Sequence, residues 1–88
     1  MSAKVVIYTT RFCPFCIRAR RLLKKKGIDY EEIGVANDPA LWQKMQILSG
    51  RNTVPQIFIN DQPIGGFDDM ARLDRSGELD ALLSTTQQ

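Results

Sequence analysis

Cys13 and Cys16 are the two cysteines of the 88-residue sequence, and they stand three apart in Cys13-Pro14-Phe15-Cys16. Side chains at i and i+3 share one face of a helix, so a helix beginning here brings both sulfurs into disulfide range. Pro14 favours that beginning, because its missing N–H would have no helical partner at the first position. Cys13 then falls at the helix mouth, where free N–H groups and the positive end of the macrodipole favour a thiolate. The thiolate is the nucleophilic form of cysteine. The pattern predicts a redox dithiol, with Cys13 outward and attacking and Cys16 inward and resolving.

Cysteines also serve as small core residues, and one C-x-x-C is half of a zinc site. Zinc takes four ligands, and the chain has neither histidine nor a third cysteine. A site within one chain would need unusual carboxylate ligands, so no metal is expected. A C-x-x-C at a strand-to-helix junction reads instead as a redox motif.

Positioning these sulfurs requires a strand before them and a helix after them. Lys4-Val5-Val6-Ile7-Tyr8 is an apolar, β-branched run suited to a buried strand. The first helix is expected from about Pro14 to Lys26, burying Cys16, Ala19 and Leu23 with Leu22 beside them, and Gly27 is its stop. A second strand lies within Ile28 to Val35, anchored by Tyr30 and Ile33. Asp38-Pro39 reads as an N-cap followed by proline at the first helical position. Leu41, Met45 and Leu48 continue a helical stripe that Ser49-Gly50 ends. Gln56-Ile57-Phe58-Ile59 is a third strand, Asn60-Asp61 a tight turn, and Pro63-Ile64 the centre of a short fourth. Asp68-Asp69 opens a third helix through Leu73, and Glu78 to Leu83 forms a closing helix. The order β-α-β-α-β-β-α-α belongs to the α/β class. Its first β-α-β unit is a parallel pair with a right-handed crossover, and the hairpin runs antiparallel. It resembles the thioredoxin-like fold, a four-stranded mixed sheet flanked by helices.

One domain over residues 1–88 is the expectation, with a frayed polar tail over 84–88. A formal charge of +2 is too small to imply nucleic acid. Six cations nevertheless fall in the first predicted helix: Arg18, Arg20, Arg21, Lys24, Lys25 and Lys26. Those near its end complement the dipole, and the set can also attract anionic substrates or acidic partners. Val5-Val6-Ile7-Tyr8 is too short for a signal-peptide core, and no run is long enough to span a membrane. Two close cysteines without an export signal predict a reducing, cytoplasmic setting and catalytic cycling.

At this point four ordered segments carry a resemblance to the glutaredoxin family. They are Tyr8-Thr9 before Cys13-Pro14-Phe15-Cys16, then Thr53-Val54-Pro55, then Gln56-Ile57-Phe58-Ile59, then Gly65-Gly66-Phe67-Asp68-Asp69. The match is to the small bacterial dithiol type, here with a C-P-F-C site. The resemblance implies a glutathione-dependent thiol–disulfide oxidoreductase acting on glutathione mixed disulfides and protein disulfides. It implies glutathione as reducing co-substrate, glutathione reductase as an indirect partner, and a monomer that binds neither membrane nor nucleic acid. Pro55 corresponds to the family's cis-proline, and Val54 before it would offer backbone groups to the cysteine portion of glutathione, as an added strand does. Thr53 belongs to the same segment. Gly66, Phe67, Asp68 and Asp69 resemble the γ-glutamyl site, where a helix N-terminus receives a carboxylate and an Asp, Asp69 first, receives the ammonium. Asp68 is equally readable as an ordinary N-cap.

The chain departs from the family in three places. Thr10 stands where many relatives have a lysine, and Trp42 where many have an arginine; both cations usually face the glycine carboxylate of glutathione. Arg11 and Gln43 are the substitutes at hand, and Arg11 is also a candidate to activate Cys13. Phe15 replaces a commoner tyrosine, keeping the ring without the hydroxyl. Two other functions compete: a redoxin served by thioredoxin reductase, and a dimeric iron–sulfur carrier bridged by two cysteines and two glutathiones. The γ-glutamyl-like segment argues against the first, and Pro14 with a second active-site cysteine against the second. A purely structural module leaves the paired cysteines without a reason.

Overall fold

The computed structural model describes residues 3–84. In chain order its elements are β1 (Val5–Thr9), α1 (Pro14–Lys25), β2 (Glu31–Gly34), α2 (Pro39–Ser49), β3 (Gln56–Ile59), β4 (Gln62–Gly65), α3 (Phe67–Ser76) and α4 (Glu78–Ser84). The order is the one read from the sequence. Ser84 closes α4, and the rest of the predicted frayed tail lies outside the described residues.

The four strands form one sheet in the order β2-β1-β3-β4. β1 pairs parallel with β2 and antiparallel with β3, and β3 pairs antiparallel with β4. Asn60 and Asp61 make the two-residue hairpin turn between β3 and β4, both with positive φ, as the primed turns require. Alternation along the central strands sorts their side chains onto two faces. Val5, Ile7, Ile57 and Ile59 meet Ala19 and Leu23 of α1, Met70 of α3, and Leu79 and Leu83 of α4 in one core. Tyr8 and Phe58 meet Met45 of α2 in a second, with Ile33, Leu41 and Trp42 packed beside them.

Helix ends follow from local chemistry. The amide of Gly27, at φ +70°, donates to the Lys24 carbonyl, and that of Ile28 donates to Leu23, the double bond of a Schellman stop. At the start of α2 the Asp38 carboxylate accepts from the Leu41 amide at 3.1 Å. Two expectations need correction. Leu48 is exposed rather than part of the buried stripe, because α2 turns Leu41, Trp42 and Met45 inward instead. The third helix begins at Phe67, so its N-cap is Gly66 and not Asp68.

Candidate active site around Cys13

β1 delivers the chain to the site, and α1 fixes Cys13. Cys13 is the N-cap of α1 in extended backbone geometry, with Pro14 at the first helical position. Its carbonyl accepts from the Ile17 amide at 3.0 Å, the first turn of the helix. Cys13 is half-buried, and Cys16, one turn on, is fully buried beside Ala19 and Leu23. Burial is the main cause that pushes the Cys16 thiol up to about 11; Cys13 adds to it, and a hydrogen bond with the Thr10 backbone opposes it. At neutral pH Cys16 is therefore a thiol, held next to its partner.

Opposite α1 stands the segment before β3. The Val54–Pro55 peptide bond is cis, and the Val54 carbonyl accepts a weak hydrogen bond from the Cys13 Sγ at 3.8 Å. Gln56, buried in β3, steadies this segment: its Nε2 donates to the carbonyl and to the Oγ1 of Thr53. Trp42 helps from the other side, donating its indole N–H to the Asn52 side chain. Its ring packs against the second core.

A depression of about 190 Å³ opens against Val54, lined by Phe15, Arg51, Thr53, Val54, Pro55 and the run Gly66–Asp69. Phe15 and Phe67 stand across it with ring centroids 6.5 Å apart. Asp69 is the third residue of α3 and reaches back to its start, accepting from the Gly66 amide at 3.0 Å. That is one half of a capping box; glycine has no side chain for the reciprocal half. The same Asp69 oxygen accepts from Arg51 at 2.7 Å, and the Arg51 guanidinium and Gly66 amide together hold its carboxyl below the usual range.

The structure thus gathers Phe15, Thr53, Val54, Pro55, Gly66, Phe67, Asp68 and Asp69 around one depression, with Cys13 joined to it through Val54. Arg11 is not among its walls. It lines a separate hollow with Thr9, Thr10, Glu32, Gly34 and Ala36, and its guanidinium lies 5.3 Å from the Phe12 ring centroid. Gln43 faces another hollow, beside Ala40, Lys44, Ile47 and Leu48. The cation that does line the site is Arg51, which sequence reasoning missed. Its one local signal was its place, two residues before Thr53, as the only charge between Gly50 and Pro55.

Comparison with known proteins decides the family. The glutaredoxin family model matches residues 5–64. The chain belongs to the glutaredoxin family. A glutaredoxin of Pseudomonas aeruginosa is 51% identical over 80 residues, covering 91% of this chain and 95% of that protein. Glutaredoxin 3 of Escherichia coli K12 is 49% identical over 81 residues, covering 92% and 98%. The solution structure of a glutaredoxin from Brucella melitensis superposes with a TM-score of 0.84 at 48% identity, over 96% of this chain and 91% of that one. A crystal structure of a buckwheat glutaredoxin–glutathione complex gives 0.85 at 27% identity, over 92% and 76%. The protein is a thiol–disulfide oxidoreductase with a thioredoxin-like fold, in a family whose members depend on glutathione.

Proposed function

We propose that the chain reduces glutathione mixed disulfides and protein disulfides at the expense of glutathione, with Cys13 as nucleophile and Cys16 as resolving thiol. The observation that carries this reading is the Cys13 Sγ facing the Val54 carbonyl at 3.8 Å, at the edge of the Thr53–Pro55 and Gly66–Asp69 depression. The buckwheat neighbour was solved with glutathione, which supports glutathione as the occupant of this depression. The backbone of Val54 would pair with the cysteine portion of glutathione as an added strand. The first amides of α3 would receive the γ-glutamyl carboxylate, and Asp69 the neighbouring ammonium.

The Cys13 thiolate attacks the glutathione sulfur of a mixed disulfide. A bond forms between those sulfurs, and the protein sulfur leaves as a thiolate and takes up a proton. A second glutathione thiolate attacks the glutathione sulfur held on Cys13, releasing glutathione disulfide and restoring the Cys13 thiolate. One glutathione is consumed: it joins the glutathionyl group taken from the substrate as glutathione disulfide, and the protein thiol is recovered. With a protein disulfide, Cys13 first bonds to one protein sulfur. Cys16 then attacks the Cys13 sulfur, frees the protein, and leaves a Cys13–Cys16 disulfide for two glutathiones to reduce. The chain has no histidine to serve as a base, and Cys13 stands as the N-cap of α1. A reducing cytoplasm is the compartment this reading assigns.

The test is reduction of a small glutathione mixed disulfide, coupled to NADPH through glutathione reductase. Wild type and Cys16→Ser should both turn over, and Cys13→Ser should be inactive. Loss of mixed-disulfide turnover in folded Cys16→Ser would sink the division of roles. No turnover by the wild type would sink glutathione dependence itself.

A further inference from the structure

Beside Cys13, and sharing only Phe15 with the depression against Val54, lies a second feature. Phe12, the residue before the nucleophile, is 82% exposed. Arg11 lies over its ring, and the hollow lined by Thr9, Thr10, Arg11, Glu32, Gly34 and Ala36 adjoins it with a volume of about 410 Å³. Across Cys13, Phe15 is 46% exposed with Arg18 over its ring, and Ile17 is partly exposed. Three of the five large hydrophobic residues exposed among the described residues are thus packed into the six positions around Cys13.

The charges here are one-sided. Arg11, Arg18, Arg21, Lys24 and Lys25 form no ion pair among the described residues, whereas Arg20 and Lys26 do. The one carboxylate in the hollow, Glu32, is engaged by Arg20 and by the Thr9 hydroxyl, each at 2.7 Å. Exposed phenyl rings, each with one uncompensated guanidinium over it, fit a ligand that offers apolar groups and carboxylates together. Glutathione does not meet that description at this place, because neither Arg11 nor Phe12 lines the depression assigned to it. A mixed disulfide has a second half, the polypeptide, and it must pass over the chain immediately around Cys13.

We propose that the Arg11–Phe12 patch, with Phe15 and Arg18, is the docking surface for the polypeptide half of the substrate. It selects proteins whose reacting cysteine lies beside an apolar side chain and carboxylates. The proposal rests on the deglutathionylation reading above and names its substrate class. Phe12 acts as the anchor, buried by the incoming segment. Arg11 and Arg18 pair with the flanking carboxylates and steer the encounter, an effect that salt screens.

The experiment compares three substrates in the coupled assay: the glutathione mixed disulfide of cysteamine, a glutathionylated peptide reading Glu-Phe-Cys-Glu, and one reading Lys-Gly-Cys-Lys. The wild type should show a kcat/KM about tenfold higher for the acidic, apolar peptide than for the basic one, falling with salt. Phe12→Ala should lose about five- to tenfold on the acidic peptide and stay within about twofold on the cysteamine disulfide. Arg11→Gln should flatten the preference between the two peptides. Equal rates on both peptides would overturn the proposal, as would a Phe12→Ala defect of the same size on all three substrates. A dimer in sedimentation that Phe12→Ala dissociates would reassign the patch to self-association. Failure of the wild type on the cysteamine disulfide alone would instead strike the functional reading on which the proposal rests.

Discussion

Gly65 and Gly66 are identical neighbours in sequence, and the structure predicts very different consequences of an added methyl group. A Cβ at Gly65 would lie 2.4 Å from the Asp69 Oδ2, 2.7 Å from its Cγ and 3.0 Å from the Arg51 guanidinium. Asp69 would have to move about 1 Å to reach ordinary contact distance. Its bonds to Arg51 and to the Gly66 amide, now 2.7 and 3.0 Å, cannot both survive that movement. Gly65 also holds a φ of +114°, a region that costs a side-chain-bearing residue roughly 1–3 kcal/mol. Loss of a hydrogen bond to a charged group adds about 1.5–3 kcal/mol at most, discounted here because Asp69 and Arg51 are partly solvated. The expected cost of Gly65→Ala is therefore about 2–5 kcal/mol, a large part of the stability of a domain this size. At roughly 4–8 °C per kcal/mol, the melting temperature should fall by at least about 8 °C. Gly66→Ala meets only the Pro55 carbonyl, at 3.4 Å, with φ −91°, and should cost under about 1 kcal/mol. Thermal and urea unfolding of both variants, with KM for a glutathione mixed disulfide measured well below the transition, would decide it. A Gly65→Ala protein that melts with the wild type, or a Gly66→Ala protein equally damaged, would refute the packing read at Asp69.

Two further outcomes follow from the ionisable groups. Asp69 is held below its ordinary value by Arg51 first and the Gly66 amide second, so it contributes stability above the unfolded carboxylate range that is lost as pH falls through its folded value. Arg51→Met should move that acid loss to higher pH and weaken glutathione binding, as read from urea midpoints between pH 2 and 6 and from KM; an unchanged acid limb would exclude the coupling. Cys16 has the opposite sign: burial raises its thiol from 9.0 to about 11, so the unfolded chain ionises first and stability falls as pH rises between those values. The loss reaches at most about 2.7 kcal/mol at 1.36 kcal/mol for each of the two pKa units. Under reducing conditions Cys16→Ala should lack this alkaline component, and a wild type whose urea midpoint matches that of the variant from pH 8 to 11 would contradict the burial argument.

What the sequence determined by itself was local and chemical. Paired cysteines around Pro14 were enough to place a dithiol at a helix mouth, because proline at a first helical position and i, i+3 spacing are constraints of the backbone alone. The apolar run Val5 to Tyr8 marked a buried strand, and the Asp38 and Gly27 caps marked helix ends whose hydrogen bonds close within a few residues. Thr53 to Pro55 and Gly65 to Asp69 were legible through family resemblance, not through periodicity. Tertiary structure decided what depends on contacts between distant segments. Leu48 continues the helical stripe in the sequence, yet packing leaves it exposed and turns Trp42 against the second core instead. Arg51 gained its meaning from an ion pair 18 residues away, and Arg11 lies apart from the depression against Val54, over Phe12 instead. Gly65 and Gly66 became different residues only when Asp69 folded back against one of them. Long side chains reach several ångströms from their backbone, and the packing of other elements settles which partner they meet.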